Sequence, residues 1–205
     1  MIPPLPSPLY KVVRPNGEPC HLGSGPWSIP HYGQPGDWRQ IDAGKLWPCH
    51  HGLHLCRIQD LPGWLVEDAI VCEVEAAPRF RWILHNDEKV VVRKARLTRI
   101  VGTLDARLLR LFACDCAKRA LLREHERGRE PDPRSWAAIE VTRRFAVGEA
   151  TQQELAAAHA AAYAAYAYAA AAVAARDAAR AAYATRDAER LWQGQHLIRM
   201  LGAQQ

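Results

Sequence analysis

Residues 155–175 read LAAAHAAAYAAYAYAAAAVAA, a run without a formal charge in which most side chains are single methyl groups. Alanine loses no side-chain entropy when a helix forms and is the strongest helix former, so the run specifies one long helix. A surface of methyls carries little chemistry and lets another backbone approach closely. The run follows Thr151-Gln152-Gln153-Glu154, a capping box. The helical pattern then continues through Arg176, Asp177, Arg180, Arg186, Asp187, Glu189 and Arg190 to about Leu201, roughly 75 Å if unbroken at ~1.5 Å per residue. The 155–175 run by itself is long enough to span a bilayer. Spanning helices, however, gain their insertion energy from Leu, Ile, Phe and Val, and the run has one Leu, one Val and an internal His159. No membrane association is expected.

Leu155, His159, Tyr163, Tyr166, Val173, Tyr183 and Trp192 fall near one helical face. Two readings stay open. The face is a packing seam, with alanines permitting close approach and tyrosines filling gaps, or Tyr163, Tyr166 and Tyr168 line a ligand groove whose aromatic hydroxyls hold a base or a ribose.

Two further helices precede this one. Thr103 or Asp105 caps a helix that runs to about Arg127 and stops at Gly128. Asp132-Pro133 is an N-cap followed by proline at the first helical position, and that helix ends near Gly148. Composition changes at residue 102: residues 1–102 are rich in Pro, Gly, Trp and His, and residues 103–205 are poor in the first two. The expected fold class is therefore α+β, with a small mixed α/β domain over 1–102 and an all-α, alanine-rich domain of about three helices over 103–205.

Within the first half, residues 9–14 (LYKVVR) read as a strand closed by Pro15-Asn16-Gly17, a strong turn signal. Residues 18–47 form a long loop. Loops of this length in a compact domain are usually functional or disordered, and Trp27, Trp38 and Trp47 favour an ordered one. Residues 52–57 (GLHLCR) read as a short strand, and residues 59–67 as a short helix with Asp60 as its N-cap. Residues 69–76 (AIVCEVEA) alternate with the period of a half-buried strand, and residues 89–100 (KVVVRKARLTRI) read as one long final strand after a turn at Asn86-Asp87.

The densest chemistry lies in Pro48-Cys49-His50-His51-Gly52-Leu53-His54-Leu55-Cys56, with Cys20-His21 upstream. On a strand His54 and Cys56 point the same way. With Cys49 just before the strand and Cys20 from the loop, a Cys3His zinc site is geometrically possible, although no C-x-x-C knuckle is present. The other reading makes Cys56 and Cys72 core residues and leaves His54 to bind a ligand. Candidate ligand-binding residues are His54, Tyr10, Trp27, Trp38, Tyr163 and Tyr166; candidate metal ligands are Cys20, Cys49, His54 and Cys56. No cofactor is expected, with zinc the one possibility.

The 205 residues carry a formal net charge of +5 and six cysteines. No basic block stands out, which argues against nucleic acid as a partner. Six cysteines in a chain this long are not a disulfide framework, and the N-terminus lacks the basic and apolar regions of a secretory signal. A reduced, cytoplasmic protein is expected.

The stretches LYKVVRPNGEPCH, PCHHGLHLC and KVVVRKARL resemble an uncharacterised domain found in phage-associated and actinobacterial proteins. A Cys…Cys…Gly-x-His-x-Cys pattern in that family maps onto Cys20, Cys49, Gly52, His54 and Cys56. The segments RLLRLFACDCAKRALL and AAIEVTRRFAVGEAT resemble alanine-rich immunity proteins. The order of a strand, a Gly-x-His strand, a short helix and a further strand is also similar to ADP-ribosyltransferase-type folds. Those enzymes use a late strand glutamate that has no counterpart here between Glu88 and Gly102.

The methyl-rich helical half, the absence of a complete catalytic constellation and these resemblances together lead to the expectation of a non-enzymatic binding protein, an inhibitor, sponge or immunity protein in phage–host or toxin–immunity conflict, whose partner is a protein or a small nucleotide. One alternative is an ADP-ribosyltransferase-like enzyme, or a degenerate relative, that binds NAD or another nucleotide, with His54 and Tyr10 contacting it. Another is a zinc-stabilised interaction module.

Overall fold

The computed structural model describes residues 7–21, 23, 25–42, 44–48, 50–77, 82–85, 89–173 and 182–204, with the backbone alone for 82–85, 165–173 and 182–186. The chain divides into two units. One comprises Met1–Asp105 together with Asp187–Gln205, and the other Ala106–Arg186.

The first unit is built on strands β1 (Leu9–Val13), β2 (Arg39–Gln40), β3 (Leu53–Arg57), β4 (Ile70–Ala76), β5 (Trp82–His85), β6 (Lys89–Val92) and β7 (Lys94–Thr103). They form one sheet in the order β2-β7-β4-β1-β3-β6-β5, and every neighbouring pair is antiparallel. β1 occupies the middle. This corrects the expected mixed α/β domain: the short helix read over residues 59–67 is a single 3-10 turn, Leu61–Trp64. Asp60 makes no side-chain cap bond there. Its buried carboxylate instead accepts from Arg57 Nε at 2.6 Å and Arg190 Nη2 at 3.0 Å.

The single strand read over residues 89–100 is two strands. β6 pairs with β3 and β5, while β7 pairs with β4 and β2. Arg93 lies between them, and its guanidinium donates to the carbonyls of Asp42 and Gly44 in the long loop. Hydrophobic periodicity is continuous across the junction, so sequence pattern alone does not reveal the change of partners.

Side chains alternate across each strand. Leu9 and Val13 of β1, Leu53 and Leu55 of β3, Ile70 and Cys72 of β4, Val90 and Val92 of β6, and Ala95 and Leu97 of β7 share one core with Trp27. Burying each large apolar side chain contributes about 1.5–3 kcal/mol. Tyr10, Val12, Cys56 and Val71 are buried as well, and the same alternation points them to the opposite face.

The second unit contains α1 (Ala106–Glu126), α2 (Pro133–Ala146) and α3 (Gln152–Val173). Asp132 caps α2 by accepting from Arg134 N at 2.8 Å. The Thr151–Glu154 box closes in both directions: Thr151 N donates to Glu154 Oε2 at 2.7 Å and Glu154 N donates to Thr151 Oγ1 at 3.2 Å. Arg143 on α2 pairs with Asp115 on α1, and Thr142 Oγ1 lies 3.1 Å from His159 Nε2 on α3.

A final helix, α4 (Ala182–Gly202), belongs from Asp187 onward to the sheet unit. Leu197 and Leu201 are fully buried. A Cβ at Gly102 of β7 would stand 3.0 Å from Leu201 Cδ2, and one at Gly194 would stand 1.9 Å from the Ile58 carbonyl oxygen. The expected all-helical domain over 103–205 is therefore corrected: its last helix is a structural part of the sheet unit. Helix propensity fixes that these residues are helical, but the choice of neighbour comes from Gly194, Leu197 and Leu201 fitting the sheet. Among the described residues, no helix is long and apolar enough to cross a membrane.

Candidate functional site

The site begins at the turn that follows β1. Gly17 adopts φ +87°, a left-handed conformation that favours glycine. A Cβ there would lie 2.1 Å from the Trp27 carbonyl oxygen. The close approach lets Trp27 N donate to the Gly17 carbonyl at 2.8 Å, which folds the long loop back on itself and seats the Trp27 ring in the sheet's core.

Lys11 stands beneath that ring. It is the central residue of β1, the middle strand, and it is paired with Cys72 on β4. Alternation places it on the face of Leu9 and Val13, where it is half-buried beside the apolar core. Its Nζ donates to the His54 carbonyl at 2.9 Å and lies 5.8 Å from the Trp27 ring centroid. Among the described residues no carboxylate stands within ion-pair distance of it. Burial lowers its pKa to about 8, and the nearby Arg39 charge pushes the same way against an opposing pull from Cys56 and Cys20.

Arg39, at the start of β2, holds the other side of the loop. Its Nη1 donates to the carbonyls of Gly25 and Pro26 at 2.5 and 3.1 Å, and its Cζ lies 5.4 Å from the same Trp27 centroid. Both cations gain from the quadrupole of the indole ring. Burial lowers the Arg39 pKa as well.

Between the sheet and the loop lies a cavity of about 470 Å³, lined by Lys11, Trp27, Arg39, Gln40, Asp42, His50, His51, Leu53 and His54 among others. That volume is in the range of small-molecule sites, ~300–1,000 Å³. One ammonium and one guanidinium face one carboxylate in this lining. The arrangement suits an anion: a fork donor and a point charge in a partly water-excluded space.

His54 and Trp27, both candidate ligand-binding residues, line the same cavity. His54 participates through its carbonyl on Lys11, while the pleat turns its ring away from Leu53 and Leu55. Tyr10 points to the other face, where Tyr10, His54 and Cys56 border a hollow of about 10 Å³, room for one water at most. Burial raises the Tyr10 pKa. Trp38 does not line the 470 Å³ cavity. It packs under Arg96 and Lys94 at 4.6 and 5.3 Å. Tyr163 is 76% exposed and borders an apolar groove of about 560 Å³ among α1, α2 and α3. The side chain of Tyr166 lies outside the described residues.

Of the candidate metal ligands, Cys49 also lies outside the described residues. Among those described, no three His, Cys, Asp or Glu side chains gather as a metal site. Cys56 Sγ donates to the Tyr10 carbonyl at 3.4 Å, and burial pushes its pKa up to about 12, which disfavours the thiolate a metal requires. Burial raises the Cys20 pKa as well.

Lys11 and Arg39 escape the sequence reading. Lys11 does leave a signal, because a lysine two residues from Leu9 and from Val13 shares their face in any strand over LYKVV. Arg39 leaves none, since only the folded loop brings it to Trp27. The chain matches no protein-family model, no curated protein and no solved structure.

Proposed function

We propose that the sheet unit is a binding module for a small anionic molecule bearing a phosphate or carboxylate group, held between Lys11 and Arg39. The observation that supports this reading is the placement of Lys11: an ammonium without a described carboxylate partner, in the middle of an apolar sheet face and bordering a 470 Å³ cavity. Such a charge is costly to maintain, and a bound anion offsets that cost. The Trp27 ring is only 4% exposed, so it positions the two cations and offers no free face for stacking a base.

Calorimetric titration with inorganic pyrophosphate and with AMP tests the reading. Saturable binding that disappears in Lys11→Met and weakens at least ~10-fold in Arg39→Gln is the expected result, in line with the loss of a charge-assisted hydrogen bond. Equal binding by Lys11→Met and the parent chain, or no binding of either probe, overturns it.

A further inference from the structure

We infer that Lys11 is a nucleophile toward small carbonyl compounds that carry an anionic group, forming an imine through its Nζ. This rests on the anion-site reading above and adds a covalent step to it.

Three observations carry the inference. The amine is held by the central strand, between Leu9 and Val13 and beside Cys72, so its position is set by the sheet. Its one described hydrogen-bond acceptor is the His54 carbonyl, which leaves further directions on nitrogen for a reactant in the cavity. Arg39 borders the same cavity. An anionic group paired there holds the attached carbonyl in the cavity that Lys11 also lines, which raises its effective concentration. An attacking lysine must first shed its proton. Desolvation and a neighbouring cation both promote that loss, and both act here, lowering the pKa to about 8.

The step balances without oxidant or reductant. The nitrogen lone pair of the neutral amine forms a bond to the carbonyl carbon, and the C–O π pair moves to oxygen, which takes a proton. The resulting carbinolamine loses its hydroxyl as water while nitrogen gives up its remaining proton and the C=N bond forms. Amine and carbonyl become imine and water.

Pyridoxal 5′-phosphate and pyridoxine 5′-phosphate are suitable probes, because they share a ring and a phosphate and only the first carries an aldehyde. The full chain is incubated with pyridoxal 5′-phosphate, reduced with borohydride and mapped by mass spectrometry. It holds five lysines: Lys11, Lys45, Lys89, Lys94 and Lys118. The expected result is a saturable adduct on Lys11. Excess pyridoxine 5′-phosphate suppresses it in the parent chain, and Arg39→Gln lowers its yield. Lys11→Arg loses it. Adducts spread evenly over the five lysines, or none on Lys11, overturn the inference. If pyridoxine 5′-phosphate binds by calorimetry while Lys11 stays unmodified, the covalent step falls and the anion site stands. If neither probe binds nor labels, both fall.

Discussion

Arg190 Nη2 donates to Asp60 Oδ1 at 3.0 Å across 130 residues of sequence. Asp60 also takes Arg57 Nε on its other oxygen, and its side chain is fully buried. One carboxylate thus ties the last helix to the segment after β3. Asp60→Asn leaves two guanidinium groups facing a neutral amide. Removing one partner of a buried ion pair costs ~3–5 kcal/mol, so a large fall in Tm is expected. Arg190→Met leaves the Arg57 bond in place and costs less. A double-mutant cycle on Asp60 and Arg190 measures the coupling, and strict additivity would show that the contact does not hold the helix.

Gly194 gives a test in which two physical effects have opposite signs. Replacing an exposed helical glycine by alanine stabilises by ~1 kcal/mol through propensity. Here the added Cβ would stand 1.9 Å from the Ile58 carbonyl oxygen, which is backbone and does not yield easily. Gly194→Ala is expected to destabilise, read as a lower midpoint in urea. A higher midpoint would mean that α4 does not lie this close to Ile58.

Lys11→Met is expected to raise Tm while removing anion binding. The ammonium is kept in an unfavourable place, and replacing it with an apolar side chain of similar length relieves a cost of order 1–3 kcal/mol. Stability surrendered to a binding site is a common pattern. The sign with pH follows from the depressed pKa. The folded state releases the Lys11 proton near pH 8 and the unfolded chain near 10.5. This group's contribution is therefore complete above about pH 10.5 and is lost as pH falls through about 8. The stability difference between variant and parent should narrow from pH 8 to 10.5, measured by denaturant titration at each pH.

The buried thiols act in the opposite direction. Burial pushes Cys56 and Cys72 up to about 12 from 9.0. The folded chain keeps protons that the unfolded chain releases, so their contribution is complete below pH 9 and is lost as pH rises toward 12. Cys72→Val, close in size and apolar, should make the alkaline decline in stability shallower. An unchanged decline would indicate that Cys72 is not sealed from water in solution.

The strands over Leu9–Val13, Leu53–Arg57 and Ile70–Ala76, and the caps at Asp132 and Thr151, were legible in the sequence because each depends on neighbours within a few residues. The change of partners at Arg93 was not, because the contacts made there are with carbonyls of the long loop some 50 positions away. The placement of α4 was hidden for a related reason. Its sequence continues the helical pattern of the alanine tract, and only the fit of Gly194 and Leu201 to the sheet assigns it elsewhere. At the candidate site, His54 and Trp27 were legible as residue types in a dense segment and an ordered loop. Tyr10, read beside His54, borders the small hollow on the opposite face of the sheet together with it.

The return of residues 187–205 to the sheet makes Ala106–Arg186 an insertion within a discontinuous fold. On the ribosome, the seven strands emerge long before the helix that completes their unit. Helices α1, α2 and α3, whose contacts are mostly local, can fold during the wait. Until α4 is synthesised, the sheet lacks the Arg190 partner for Asp60 and the Leu201 cover at Gly102. A nascent chain halted before Asp187 is thus expected to expose apolar sheet surface to chaperones, and the finished chain to bury it in one late docking event.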